Sequence, residues 1–256
     1  MRKIALVTGA TAGIGTATAE ILAENGFNLI ITGRRKKLLD NLKNELGVKY
    51  KSDVLALNFD IRDYKKCEEA IDKLPPLWKN IDVLVNNAGL SLGLSPIQDG
   101  LVDDWERMID TNIKGLLYIT RIVAPLMIKK GSGHIVNISS IAAKETYEGG
   151  NVYCATKHAV DALNKGMRID LLKHNIRVTS ISPGMVETEF SIVRFKGDKA
   201  RADKVYEGLT PLNAEDVAQA IWFAVSRPPH VNINDMLIMP TAQANIANVL
   251  RSNYEL

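Results

Sequence analysis

The sequence predicts an α/β protein: a doubly wound, three-layer sandwich built on a seven-stranded, mainly parallel sheet. Short runs rich in β-branched and aliphatic residues recur at 3–8, 28–32, 53–58, 81–86, 134–139, 176–182 and 235–239. Between them lie segments near 13–25, 35–46, 63–73, 103–130, 151–173 and 214–226 whose apolar residues fall three and four apart, the spacing of a helix with one buried face. Strand–helix alternation requires crossovers, and right-handed crossovers between parallel strands place helices on both faces of one sheet.

Each element has a local cause. Ile4-Ala5-Leu6-Val7 follows Arg2-Lys3 and ends in a glycine turn; an apolar run of about four residues is too short for the core of a signal peptide, so it reads as strand one. Pro75-Pro76 closes the third helical segment, and Gly131-Ser132-Gly133 closes the segment that begins at 103. The stretch 186–212, between the sixth strand and the last long helix, is irregular, polar and charged. A loop of that length inside a compact domain is usually functional; it reads as a lid over a site, with a short helix or two of its own. With no linker or internal repeat, residues 1–256 read as one catalytic domain.

Composition excludes several classes of function. Hydrophobic residues make up 46% of the 256 residues, enough for a large core. A net charge of +3 is too slight to argue for nucleic acid or an anionic membrane, and the Lys-Lys pairs at 36–37, 65–66 and 129–130 lack the interleaved aromatics of a base-stacking platform. Two cysteines far apart, Cys67 and Cys154, suit a reduced, cytoplasmic protein. Four scattered histidines show no ligand spacing, so no metal is expected. No apolar run reaches the length of a membrane span.

The chemistry-bearing residues gather where strands end. Thr8-Gly9-Ala10-Thr11-Ala12-Gly13-Ile14-Gly15 joins the first strand to the first helix; glycines there permit a tight turn and let backbone N–H groups approach a pyrophosphate at a helix N-terminus. Where an NAD site usually carries an acid for the ribose 2′-hydroxyl, this chain has Arg34-Arg35. Guanidinium forks match a phosphate, so the inference is NADP. Asp60-Ile61 follows the third strand, with a carboxylate placed to accept from an adenine amino group. Asn86-Asn87-Ala88-Gly89, Ser139-Ser140 and Pro183-Gly184 end the fourth, fifth and sixth strands, and Thr111-Asn112 lies in the next helical stretch. Tyr153 and Lys157 stand four apart on a helix and share a face. An ammonium beside a phenol favours the phenolate and brings a poor acid–base group toward the working pH range.

Together these residues resemble the classical short-chain dehydrogenase/reductase superfamily over essentially the whole chain, which makes the expected sheet Rossmann-type. The resemblance implies that Tyr153 exchanges a proton with the substrate oxygen, and that Lys157 lowers the tyrosine pKa and bonds the nicotinamide ribose. It implies further that a serine polarises that oxygen and that Asn112 holds a water in a relay to Lys157. Ser140 stands thirteen residues before the tyrosine, the usual spacing, with Ser139 as the alternative. For NADP it implies contacts from Gly9, Thr11, Gly13, Ile14, Gly15, Arg34, Arg35, Asp60, Ile61, Asn87, Ala88, Gly89, Tyr153, Lys157, Pro183, Gly184, Val186 and Thr188, and a homotetramer joined through the long helices.

Within the superfamily, the segments 109–116, 149–153, 193–198, 231–234 and 238–243 resemble the NADP-dependent 3-hydroxy acid dehydrogenases, which act on serine, allo-threonine and related acids or reduce a semialdehyde. A carboxylate-bearing substrate calls for a cation; Arg194, Lys196 and Lys144 are the candidates, against the plain reading that all three are exposed solubilising charges. Glu145 and Glu148 either receive a substrate amino group or face water. The competing functions are a broad carbonyl reductase, which differs only in pocket and lid, and a non-catalytic NADP sensor, against which the intact Asn112, Ser140, Tyr153 and Lys157 set argues.

Overall fold

A computed structural model describes residues 2–251; the ends of the expected domain, Met1 and 252–256, lie outside the described residues. Seven strands form a single sheet: β1 Ile4–Val7, β2 Asn28–Gly33, β3 Val54–Asn58, β4 Ile81–Asn86, β5 Gly133–Ile138, β6 Ile176–Pro183 and β7 Asp235–Ile238. Their order is β3-β2-β1-β4-β5-β6-β7. Every pairing is parallel, so the expected mainly parallel sheet is parallel throughout. The helices are α1 Gly13–Glu24, α2 Lys36–Tyr50, α3 Tyr64–Asp72, α4 Val102–Ile109, α5 Leu116–Lys130, α6 Asn151–Asp170, α7 Glu189–Arg194, α8 Lys199–Asp203 and α9 Ala214–Val225.

Alternation along each strand builds the two cores. Ala5 and Val7 face α1, α2 and α9, whereas Ile4 and Leu6 face α3, α5 and the end of α6, because successive strand side chains point to opposite faces. Both faces are covered, so strands such as Leu29-Ile30-Ile31 are apolar at every position and fully buried. Chain order reverses between β1 and β4. A crevice opens at such a switch point, beyond the carboxyl ends of the strands.

Two helical expectations are refined. The segment 103–130 is not one α-helix: a π-helical turn, Asp110–Gly115, separates α4 from α5. The segment 151–173 is α-helical to Asp170 and then tightens into a 3₁₀ turn, Leu172–His174. Gly131, at φ 79°, caps α5 in the left-handed conformation that glycine adopts without strain. The stretch 186–212 carries α7 and α8, the two short helices expected there.

A buried polar network ties the sheet to the helices that carry the site. Asn86 donates to Thr120 on α5 (2.9 Å) and to Asn137 on β5 (2.8 Å), and Asn137 donates to Asn164 on α6 (2.9 Å). Removing the central amide leaves buried donors and acceptors unpaired, which costs about 1–3 kcal/mol for each such group. Asn137→Ala is therefore expected to lower the unfolding free energy by about 2–4 kcal/mol, measured by urea denaturation; a loss within about 0.5 kcal/mol contradicts a stabilising role for the network.

Candidate active site

The turns after β1 and β4 are laced together. Thr8 Oγ1 donates to the Val85 carbonyl (3.2 Å) and accepts from the Asn87 and Ala88 N–H groups (3.0 Å each). The Asn87 side chain donates back to the carbonyls of Thr8 (2.9 Å) and Gly9 (3.1 Å). Gly9 and Gly13 sit at φ 65° and 51°, where only glycine is unstrained. A Cβ on Gly15 would lie 2.3 Å from the Gly9 carbonyl oxygen and 2.5 Å from Asn87 Nδ2, so no other residue fits. The bracing by Thr8 and Asn87 is tertiary, and no local sequence signal announces it.

This turn floors a cleft of about 660 Å³. All the catalytic and cofactor-contact residues named from the sequence line it except Gly15, which supports the turn from behind, and Asn112, which is buried beneath. At one end stand Arg34 and Arg35. Arg35 donates to the Thr11 hydroxyl and carbonyl (3.0–3.2 Å) and pairs with Glu189 at the start of α7 (2.8 Å). Arg34 is more exposed, with its nearest acidic partner, Asp60, at 4.0 Å. Asp60 is braced by its neighbour: the Arg62 guanidinium grips both its oxygens through three bonds (2.6–3.1 Å) and the Arg62 N–H adds a fourth. Burial works to raise its pKa, yet these donors and the nearby Arg34 charge hold it below the ordinary carboxylate value.

At the other end, β5 and α6 bring Ser140, Tyr153 and Lys157 together. Both serines line the cleft, but they differ. Ser139 Oγ is buried with no partner, whereas Ser140 Oγ accepts from the Ala142 N–H (3.1 Å). Lys157 is only 7% exposed, and its ammonium donates to the Ile138 carbonyl (2.9 Å). Burial alone lowers its pKa to about 8. The ammonium lies 5.9 Å from the Tyr153 ring centroid. Burial of Tyr153, helped by neighbouring Tyr147, raises its pKa well above the usual tyrosine value, and the Ser140 hydroxyl and Arg194 charge offset only part of that.

Asn112 sits in the π-helical turn with its side chain saturated. It accepts from the Leu90 N–H (2.9 Å) and donates to the Leu90 carbonyl (2.9 Å) and the Thr156 hydroxyl (3.0 Å). Of the three candidate cations, Lys144 is held by Asp161 and Asp235, and Lys196 by Asp104. Only Arg194 of the three lines the cleft. Glu145 accepts from the Ile246 N–H (3.0 Å) and so fastens the C-terminal segment; Glu148 contributes nothing to the cleft lining. Gln243, which the sequence placed only within the segment 238–243 and not at the site, lines the cleft and accepts from the Met185 N–H (2.8 Å). No cluster of metal-ligating side chains occurs among the described residues.

Known proteins are similar to this chain over most of its length. A family model described as short chain dehydrogenase matches residues 3–199. The NADP-dependent 3-hydroxy acid dehydrogenase YdfG of Salmonella typhimurium is 50% identical over 242 residues, which cover 94% of this chain and 96% of that protein. The protein of the same name from Escherichia coli K12 is 48% identical over the same shares. Among solved structures, the closed form of serine dehydrogenase complexed with NADP+ matches with a TM-score of 0.91 at 47% identity, covering 97% of this chain and 100% of that one.

The buried lysine yields a pH signature. Its folded pKa of about 8 lies below the free value of 10.5, so between those two values the unfolded chain binds the extra proton and stability from this residue rises with pH. The stability of the wild type relative to Lys157→Met is expected to increase across that window by up to about 1.4 kcal/mol per pH unit, measured by urea denaturation at several pH values. A flat or falling difference contradicts the burial of an unpaired ammonium.

Proposed function

This chain belongs to the short-chain dehydrogenase family, and from that premise we propose that it is an NADP-dependent oxidoreductase that interconverts a small 3-hydroxy acid and the matching semialdehyde or oxo acid. The observation that carries this reading is the meeting of Ser140, Tyr153 and Lys157 at one end of a cleft whose other end bears Arg34 and Arg35. Relatives named as NADP-dependent 3-hydroxy acid dehydrogenases support the substrate class.

The chain's own residues fit NADP. The cradle at Gly9, Gly13 and Gly15 lets backbone N–H groups approach a pyrophosphate without a Cβ in the way, and Arg34 and Arg35 suit a 2′-phosphate. Thr11, Ile14, Ile61, Ala88, Gly89, Pro183, Gly184, Val186 and Thr188 complete the lining along the cofactor. When bound, NADP supplies the hydride donor or acceptor; the protein supplies position and electrostatics.

Tyr153 is the general acid–base residue. As a phenol it protonates the oxygen of a carbonyl under reduction; in the opposite direction it acts as the phenolate, its own proton having left through the relay at Lys157, and takes the alcohol proton. Ser140 Oγ already accepts from Ala142, which leaves its own hydrogen to donate to the substrate oxygen. Lys157 uses one N–H on Ile138 and has two more for the nicotinamide ribose and a proton relay. Because the Asn112 side chain is committed to Leu90 and Thr156, the relay role falls to its main-chain carbonyl, within the π-helical turn. Residues 186–212 serve as the lid, tied to the cofactor end by the Arg35–Glu189 pair.

The setting of this chemistry follows from bulk features. Both cysteines are buried and unpaired, as suits the reducing cytoplasm. Among the described residues no helix is long and apolar enough to cross a membrane. Exposed Leu101, Val102, Ile109 and Leu117 around α4 and α5, with Ile169 on α6, favour assembly into a homotetramer through those helices.

Steady-state assays with NADP+ and L-serine, L-allo-threonine or 3-hydroxypropionate are expected to give saturable oxidation; activity confined to uncharged ketones and diketones replaces this reading with a broad carbonyl reductase. Tyr153→Phe is expected to lower turnover by about 10²–10⁴-fold with NADPH binding retained, and a variant within about threefold of the wild type removes the phenol from its role. Arg34→Ala is expected to cut the preference for NADP over NAD by about tenfold or more. Competition kinetics measure that ratio, and an unchanged value sinks the assignment of Arg34 to the 2′-phosphate.

A further inference from the structure

We propose that Arg194 receives the carboxylate of the substrate and that an ion pair between Lys196 and the buried Asp104 holds Arg194 in place to do so. The inference rests on the 3-hydroxy acid reading above and names the residue that makes the site selective for acids.

Arg194 ends α7, and its guanidinium stands over the reacting end of the cleft. The guanidinium carbon lies 5.5 Å from the Tyr153 ring centroid, 5.3 Å from that of Tyr147 and 5.9 Å from that of Phe190. One terminal nitrogen donates to the Tyr147 hydroxyl. The Nε is buried with no acceptor, and no ion pair among the described residues includes Arg194. The other cations at the cleft are differently placed. Arg35 is paired with Glu189, Arg34 stands at the far end beside Asp60, and Lys157 is bonded to Ile138.

A buried guanidinium N–H without an acceptor costs free energy. A carboxylate approaching the fork satisfies Nε and a terminal nitrogen in one planar, bidentate contact. Because Arg194 flanks the Tyr153 ring, the anion and the hydroxyl that meets Tyr153 and Ser140 belong to the same small molecule. The site therefore reads a short acid by both ends: an oxygen at the phenol and an anion at the lid.

The fork is held by its neighbours. The Gly93 N–H donates to the Arg194 carbonyl (2.9 Å), which fixes the end of α7 on the loop after β4. Two residues on, Lys196 takes a left-handed backbone (φ 54°) and reaches Asp104 on α4 (2.9 Å). Asp104 is 5% exposed, and its second oxygen has no partner. A buried carboxylate with a single cation is strongly tied to it, because losing that cation leaves the charge uncompensated. Asp104 and Lys196 are thus positioning residues: they act on the substrate only through where they put Arg194.

The test compares kcat/KM for 3-hydroxypropionate and for its methyl ester, with NADP+, in the wild type and in Arg194→Met, Arg194→Lys and Asp104→Asn. The ester has nearly the same shape and no charge, so the acid-to-ester ratio isolates the anion contact. The ratio is expected to fall about 100-fold in Arg194→Met, chiefly through KM for the acid. Arg194→Lys, which keeps the charge but loses the fork, is expected to recover part of it. Asp104→Asn is expected to lower the same ratio about tenfold, again in KM rather than kcat. NADPH titration by fluorescence verifies that each variant is folded, and where Arg194→Met does not fold, the Arg194→Lys ratio decides. A wild type that oxidises the acid, with arginine variants that keep its ratio within about threefold, overturns the assignment of Arg194 alone. A wild type that oxidises only the ester overturns the hydroxy acid reading and this inference with it.

Discussion

Two cations stand on either side of one buried phenol, and among the described residues neither has a carboxylate to neutralise it. Lys157 lies inside, bonded to the Ile138 carbonyl; Arg194 lies at the end of α7, bonded to the Tyr147 hydroxyl. Taking an ammonium and a guanidinium out of water without a counter-charge is costly, and the lowered pKa of Lys157 registers that cost. An oxygen that turns toward alkoxide beside Tyr153, and an anionic group at the far end of the same molecule, are what such a site stabilises.

Holding that arrangement is the task of the scaffold. The groups converge from β5, α6 and α7, distant in sequence, because parallel strands deliver their loops to one edge of the sheet. The asparagines at 86, 137 and 164 pin α6 to β4 and β5 through bonds that water cannot replace. At the opposite end, Thr8 and Asn87 fasten the glycine turn to the loop after β4. The Arg35–Glu189 pair then links the cofactor end to α7, the helix that carries Arg194. Nucleotide and substrate ends of the cleft are mechanically joined through that short helix.

Much of this was legible in the residue order. Strands and long helices follow from periodicity, and glycines at 9, 13 and 15, the arginines at 34 and 35, and Ser140, Tyr153 and Lys157 carry their chemistry in type and spacing. Other features were not legible, for identifiable reasons. A π-helical turn at Asn112 adds one residue to a helix without breaking its apolar pattern, so 103–130 read as continuous. Ion pairing is tertiary: that Arg62 occupies Asp60, or that Lys144 and Lys196 are committed while Arg194 is not, depends on partners from 2 to 92 residues away. The raised pKa of Tyr153 turns chiefly on burial, which comes from tertiary packing and not from the residue four positions on.

The claim at the centre of this account is that one short molecule spans the phenol and the lid guanidinium. A crystal structure of the protein with NADP+ and 3-hydroxypropionate measures it directly. The account predicts the substrate hydroxyl within hydrogen-bond distance of both Tyr153 Oη and Ser140 Oγ, with the carboxylate on the Arg194 fork. A bound acid whose carboxylate faces solvent, or lies on another cation while its hydroxyl meets Tyr153, contradicts it.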